Sequence, residues 1–129
     1  MSESFNIEII SPEKKILTDK ANLVTIPAFE GEMTILPNHI SLITFLRPGI
    51  IKVTSNKETE YFVEEGTVEF SNNNLAILSS TIIEVGALSK EKISQMIEES
   101  KNQLNEANLD DKKRYATSHK VDCLSRINL

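Results

Sequence analysis

Glu30, Glu32 and His39 are the side chains of this sequence whose types and spacing come nearest to chemistry. Two carboxylates flanking Gly31 could divide acid and base roles or hold a cation. A histidine following Pro37-Asn38 in a turn could serve as a base or a ligand. Each has a plainer explanation. Residues two apart on a strand share a face, so Glu30 and Glu32 equally describe a solvated strand. His39 has no second histidine near it in the chain, since His119 lies far downstream, and a hydrogen-bonding or contact role suits it as well. The lone Cys123 cannot form an internal disulfide, and a metal site built from one Cys and two His would need carboxylates to complete it. On a helix it reads as a small apolar filler. Lys112-Lys113-Arg114 is a short basic run of the kind that coats a wet helix face. No Gly-rich phosphate loop, Cys-x-x-Cys pair or nucleophile elbow occurs. The residues offer no catalytic, cofactor-binding or metal-ligating set.

The chain of 129 residues is long enough for one ordinary domain, or a small domain with an appendage. Its 40% hydrophobic and 26% charged residues are those of a folded, water-exposed protein. A formal net charge of −5 disfavours nucleic acid as a partner, because a phosphate backbone selects a basic field. A single cysteine fits a reducing compartment. The first ten residues, MSESFNIEII, have neither the basic and apolar regions of a secretory signal nor the Arg-rich character of a transit peptide. No window approaches ~18 consecutive apolar residues, so membrane association is expected only through a partner.

The elements that would position these side chains divide the chain in two. All four Gly and all four Pro lie at or before Gly86, as do six of the seven aromatic residues, Tyr115 being the exception. Residues 1–87 carry six Lys/Arg and twelve Asp/Glu, whereas residues 88–129 carry eight and seven. Before the boundary, period-2 alternation recurs in Phe5, Ile7 and Ile9, in Leu23-Val24-Thr25-Ile26, and in Ile50-Ile51-Lys52-Val53-Thr54. Further short strands fall at residues 61–63, 68–70, 75–78 and 82–85, separated by Gly66 and by Asn72-Asn73-Asn74. Residues 1–86 are therefore expected to form an antiparallel β sandwich. Beyond it the period changes. Ile93, Met96, Ile97, Ser100 and Leu104 share a helical stripe with Ser89 as N-cap and Glu91 in the first turn. Residues 105–111 read as a connection, with Asp110 or Asp111 capping a second helix whose Ala116, Cys123 and Ile127 share a face. Residues 87–129 are expected to form an antiparallel helical hairpin, giving an α+β chain. A hairpin of that size buries too little apolar surface alone and must lean on a neighbour.

Residues 31–50, GEMTILPNHISLITFLRPGI, are too apolar for an ordinary loop although Pro37 and Pro48 interrupt them. In order they contain Gly31-Glu32 after Glu30, then Ile35-Leu36-Pro37-Asn38-His39, Leu42-Ile43 and Pro48-Gly49-Ile50. This ordered set resembles the epsilon subunit of rotary F-type ATP synthases. That family shows E-G-E/D, an apolar step, P-x-H, an apolar pair and a P-G-x-[IV] strand start. Ile9-Ile10-Ser11-Pro12 with Leu17 fits the family's opening, a strand, a Ser-Pro-like turn and a second strand. Gly66 with Val68-Glu69-Phe70 fits its G-G-x-x-E-V region, with Glu65 in place of the first glycine. The resemblance spans the whole chain, since the family also joins a β sandwich to a helical hairpin.

The resemblance implies a non-catalytic rotor subunit on the cytoplasmic face of a bacterial membrane, gripping the gamma subunit and sitting on the c-ring. It implies Glu30, Gly31, Glu32, His39 and Leu42 as contacts to the c-ring and gamma. Lys112, Lys113, Arg114 and Arg126 would be contacts to the alpha/beta hexamer if the hairpin extends to restrain hydrolysis. Some relatives bind ATP through [IL]-D-x-x-R-A at the start of the first helix. Here the stretch is Leu88-Ser89-Lys90-Glu91-Lys92-Ile93, with Ser for Asp, Lys for Arg and Ile for Ala, which argues against ATP binding. Two other readings compete with the rotor: a stand-alone sandwich that binds a small ligand or metal through Glu30, Glu32 and His39, and a hydrolase using His39. The mitochondrial delta homologue is a variant of the first reading, disfavoured by the lack of a presequence.

Overall fold

The computed structural model describes residues 3–106 and 109–127, so residues 107 and 108 of the expected connection, like residues 1, 2, 128 and 129 at the ends, lie outside the described residues. Ten strands come first: β1 (Phe5–Ile10), β2 (Lys15–Ala21), β3 (Leu23–Ala28), β4 (Gly31–Ile35), β5 (Leu42–Leu46), β6 (Gly49–Thr54), β7 (Glu58–Val63), β8 (Gly66–Ser71), β9 (Asn74–Leu78) and β10 (Ile83–Glu84). A 3₁₀ turn, Val85–Ala87, leads to α1 (Lys90–Leu104) and α2 (Asp111–Arg126).

One hydrogen-bonded path runs β10-β7-β6-β3-β5-β8-β9-β1-β2, with β4 beside β3. It folds on itself at β3, which pairs with β6 through Leu23, Val24 and Thr25 but with β5 only through Ala28↔Leu46. The result is a sandwich. Pro27, which has no N–H to give a ladder, sits between the two pairings, where the strand leaves one layer for the other. Among the described strands every pairing is antiparallel except β1 with β9, which run parallel from Asn6↔Asn74 to Ile10↔Leu78. Alternation fixes which face a side chain takes but says nothing of a partner's direction, so this pair was not legible as parallel.

Inward residues of both layers form the main core, including Ile7, Ile9, Val24, Ile26, Ile35, Ile51, Val68, Phe70 and Ile77, none more than 1% exposed. Tyr61, Phe62 and Val63 are buried in succession because β7 is covered on both faces. Tyr61 and Val63 join the main core, while Phe62 joins Leu88, Ile93, Met96 and Leu124 in a second cluster under the helices.

Two-residue turns obey local stereochemistry. Asn72 and Asn73 both hold positive φ (51° and 57°), the type I′ geometry that matches hairpin twist. Gly31 closes the β3–β4 turn at φ 149°, a region that side chains disfavour. The helices begin where expected: Ser89 accepts from the Lys92 amide at 3.1 Å and Asp110 from the Lys113 amide at 2.7 Å. Ile93, Met96 and Ser100 form the buried stripe of α1. In α2 the anchor is Leu124, 1% exposed, with Cys123 and Ile127 packed at its side. The expected face of Ala116, Cys123 and Ile127 is thus rotated toward the row Ile50, Phe62 and Ile83 that it covers.

Residues 31–50, interrupted by Pro37 and Pro48 in the sequence, are β4, a loop, β5 and the first two residues of β6; both prolines lie between strands and break none of them.

A Cβ at Gly49 would overlap the Pro27 ring, 2.9 Å from its Cγ. Gly49→Ala is expected to cost about 1–3 kcal/mol through this overpacking, read as a lower urea midpoint with unchanged slope. Leu124→Ala should cost about 2–5 kcal/mol and should raise hydrogen exchange in α1 and α2 before it does so in the sandwich.

Candidate functional site

The residues singled out in the sequence do not converge. Glu30, Gly31 and Glu32 lie at the β3–β4 turn with both carboxylates exposed. His39 lies past the other end of β4, roughly 13 Å away along the strand at about 3.3 Å per residue. There its amide donates to the Leu36 carbonyl at 3.1 Å, and its Nδ1 donates to the Ile40 carbonyl at 2.8 Å. Its ring meets Phe70 edge-on at 5.9 Å. Leu42 is half-buried against the main core and pairs with Phe70. His39 and Leu42 therefore brace the loop, and the five residues are two groups at opposite ends of a strand. Extended backbone separates what sequence proximity suggested. The same distance removes the reading in which Glu30, Glu32 and His39 share one ligand. Among the described residues no group of three or more His, Cys, Asp or Glu is placed to hold a metal ion.

What the segment does expose is apolar. On β5, Leu42, Thr44 and Leu46 turn inward while Ile43 and Phe45 point to solvent, 70% and 64% exposed. Phe45 pairs with Thr67, Thr67 with Leu78, and Leu78 with Ile10, so one row crosses the outer face of the β5-β8-β9-β1 layer. Leu78 is exposed, and Leu36 and Ile40 extend the apolar surface into the β4–β5 loop. A groove lined by Phe29, Phe45, Leu78 and Lys112 runs beside it. The alternation within Leu42–Leu46 was the available signal for Ile43 and Phe45.

The opposite face of the molecule carries the docked hairpin, held by a polar network that sequence reasoning missed. Tyr115 Oη donates to the Phe29 carbonyl at 2.8 Å, and its ring packs on Phe29 at 5.0 Å. Arg47 Nη1 donates to Tyr115 Oη at 3.1 Å and to His119 Nε2 at 3.3 Å. His119 stacks edge-on against Tyr115 at 4.4 Å. The next residue, Lys120, pairs with Glu64 at 2.6 Å. Tyr115 as the lone aromatic of the helical half, with His119 four residues on, was the signal in the sequence. Burial, then the neighbouring Arg47 charge, hold the His119 pKa below its ordinary value, with Asp122 opposing. Burial pushes the Cys123 thiol up to about 11, as suits a packing residue.

The basic residues also separate. Lys112 borders the apolar groove, Arg114 donates to the Leu104 carbonyl at 3.3 Å, and Arg126 pairs with Asp122 at 3.2 Å near the other end of α2. Only Lys112, Lys113 and Arg114 form a cluster, on the first turn of that helix.

Among the described residues, no helix is long and apolar enough to cross a membrane. Residues 4–85 match the family described as ATP synthase, Delta/Epsilon chain, beta-sandwich domain. The chain is 45% identical to the ATP synthase epsilon chain of Pelagibacter ubique, covering 99% of this chain and 100% of that one. It is 33% identical to the ATP synthase epsilon chain of Rhizobium johnstonii, over 88% of this chain and 85% of the other. A chain of the Euglena gracilis mitochondrial ATP synthase, from its OSCP/F1/c-ring structure, superposes with a TM-score of 0.75 at 20% identity, covering 95% and 78% of the two chains. One from the central stalk/c-ring structure of the Tetrahymena thermophila enzyme gives 0.66 at 15%, covering 97% and 96%. With the family match spanning more than half its length and a relative alike from end to end, this chain belongs to the ATP synthase delta/epsilon chain family.

Proposed function

We propose that this chain is a non-catalytic rotor subunit of an F-type ATP synthase, carrying c-ring rotation through gamma to the alpha/beta hexamer. The observation that carries the reading is the exposure of Ile43, Phe45 and Leu78 on one face of a sandwich whose other face is already covered. A contiguous exposed apolar surface with a polar rim marks a protein interface. Transmitting torque needs no reactive group; it needs a stiff body and contacts that do not slip, and a close-packed sandwich meets that need.

Gamma is the partner proposed for the apolar row. The exposed Glu30 and Glu32, flanking Gly31 where β3 turns into β4, are proposed for the c-ring. The first turn of α2, with Lys112, Lys113 and Arg114, is proposed for acidic loops of the hexamer when the hairpin leaves the sandwich, Arg126 adding charge at its far end. Membrane attachment would then be peripheral and through the complex, on the cytoplasmic face. ATP binding at the start of α1 is not expected. Ser89 is committed to capping the helix and Ile93 fills the second cluster, where a small residue would be needed to admit a ligand.

The test is co-expression with the gamma subunit of the same organism followed by size-exclusion chromatography, where a stoichiometric complex is expected. Ile43→Glu with Phe45→Glu should weaken that complex at least ~30-fold, the loss of about 2 kcal/mol typical of a buried hot spot. The fold should be unaffected, since both side chains are exposed. Undiminished binding by the double variant would place gamma elsewhere. Reversing Lys112, Lys113, Arg114 and Arg126 to Glu should raise ATP hydrolysis by the assembled enzyme; unchanged hydrolysis argues against an electrostatic restraint.

A further inference from the structure

The hairpin is attached to the sandwich by an apolar cluster and by the Arg47-centred network, and the two respond differently to protons. Burial in the cluster of Phe62, Leu88, Ile93, Met96 and Leu124 involves no titrating group. The network does. An arginine has only donors, so the 3.3 Å contact from Arg47 Nη1 requires His119 Nε2 to be an unprotonated acceptor. A proton on that nitrogen turns an accepted hydrogen bond into two opposed donors, and sets two cations in contact. Because the same Arg47 nitrogen also serves Tyr115, whose hydroxyl holds the Phe29 carbonyl, the disturbance passes straight to the β3–β4 turn.

We propose that the Arg47–His119 contact is a proton-sensitive latch: the neutral ring holds the hairpin on the sandwich, and a proton on Nε2 releases α2 from the Phe29–Glu30 turn. The groups around the ring are Arg47 from the β5–β6 turn, Glu32 of β4, Glu60 of β7, and Tyr115, Asp122, Cys123 and Arg126 of α2. Asp122 favours the proton, but it is paired with Arg126, and among the described residues Arg47 alone is in hydrogen-bond contact with the ring. Burial and Arg47 together depress the docked pKa, while the released ring regains its ordinary value near 6.5. The released form therefore binds more protons. Docking is fully favoured above about pH 6.5 and is lost progressively as pH falls through the lower docked pKa.

Hydrogen exchange of the full-length chain, corrected for intrinsic rates, measures opening of α2 between pH 7.5 and 5.5. The opening constant should rise about threefold or more in the natural chain. It should stay flat in His119→Gln, be diminished in Arg47→Gln, where burial alone still disfavours the proton, and rise unaltered in His39→Gln. A rise of the same size in His119→Gln overturns the latch, as does a flat response in the natural chain. Should either variant fold poorly, an NMR titration of the natural chain decides the matter. His119 titrating below 6.5 supports the latch, and titration at or above 6.5 refutes it.

Discussion

Where β3 leaves one layer for the other, Gly49 lies against the Pro27 ring with no space for a side chain between them. Both surfaces of the molecule are set from this corner. Pro27 accepts the Arg47 amide through its carbonyl at 3.0 Å, and Phe29 donates its amide to Phe45 at 2.8 Å, so the β5 strand is pinned at its end. Pinning turns Phe45 outward onto the apolar row and leaves the Arg47 side chain facing α2. A corner that opened by the width of one methyl group would move the proposed partner surface and the hairpin dock together.

The two outer faces of the sandwich carry similar residues with different fates. On one, Ile50, Phe62 and Ile83 are covered by the helices; on the other, Ile43, Phe45 and Leu78 stay bare. Covering the first face gives the hairpin most of its hold, since burial of large side chains is worth about 1.5–3 kcal/mol each. A solvent-accessible ion pair such as Lys120–Glu64, 15% and 36% exposed, adds less, of order 1 kcal/mol. A segment held by one small cluster and a few polar contacts is the part of a fold that opens most readily.

Much of the architecture was readable in local patterns. Ser89 and Asp110 cap their helices, Ile93 and Met96 form the α1 stripe, and β1, β3, β6 and β9 follow their alternation. The candidate site was less legible. Asking which residues could react drew attention to Glu30 and His39, whereas what the fold exposes is Ile43 and Phe45. The strands β4 and β5 were hidden because Pro37 and Pro48 suggested interruption where they mark ends.

Period, turn chemistry and capping are short-range physics, and with them the sequence alone determined that strands precede helices and where most of them begin, while the ordered residues of 31–50 carried the family resemblance. Tertiary structure decided the rest: the parallel β1–β9 pair, the separation of His39 from Glu30, the meeting of Arg47 with Tyr115 and His119, and which apolar face is covered. These depend on residues far apart in the chain, and hydrophobic burial has no direction. The same alternating strand is satisfied by any neighbour that excludes water, so only the closed packing selects one.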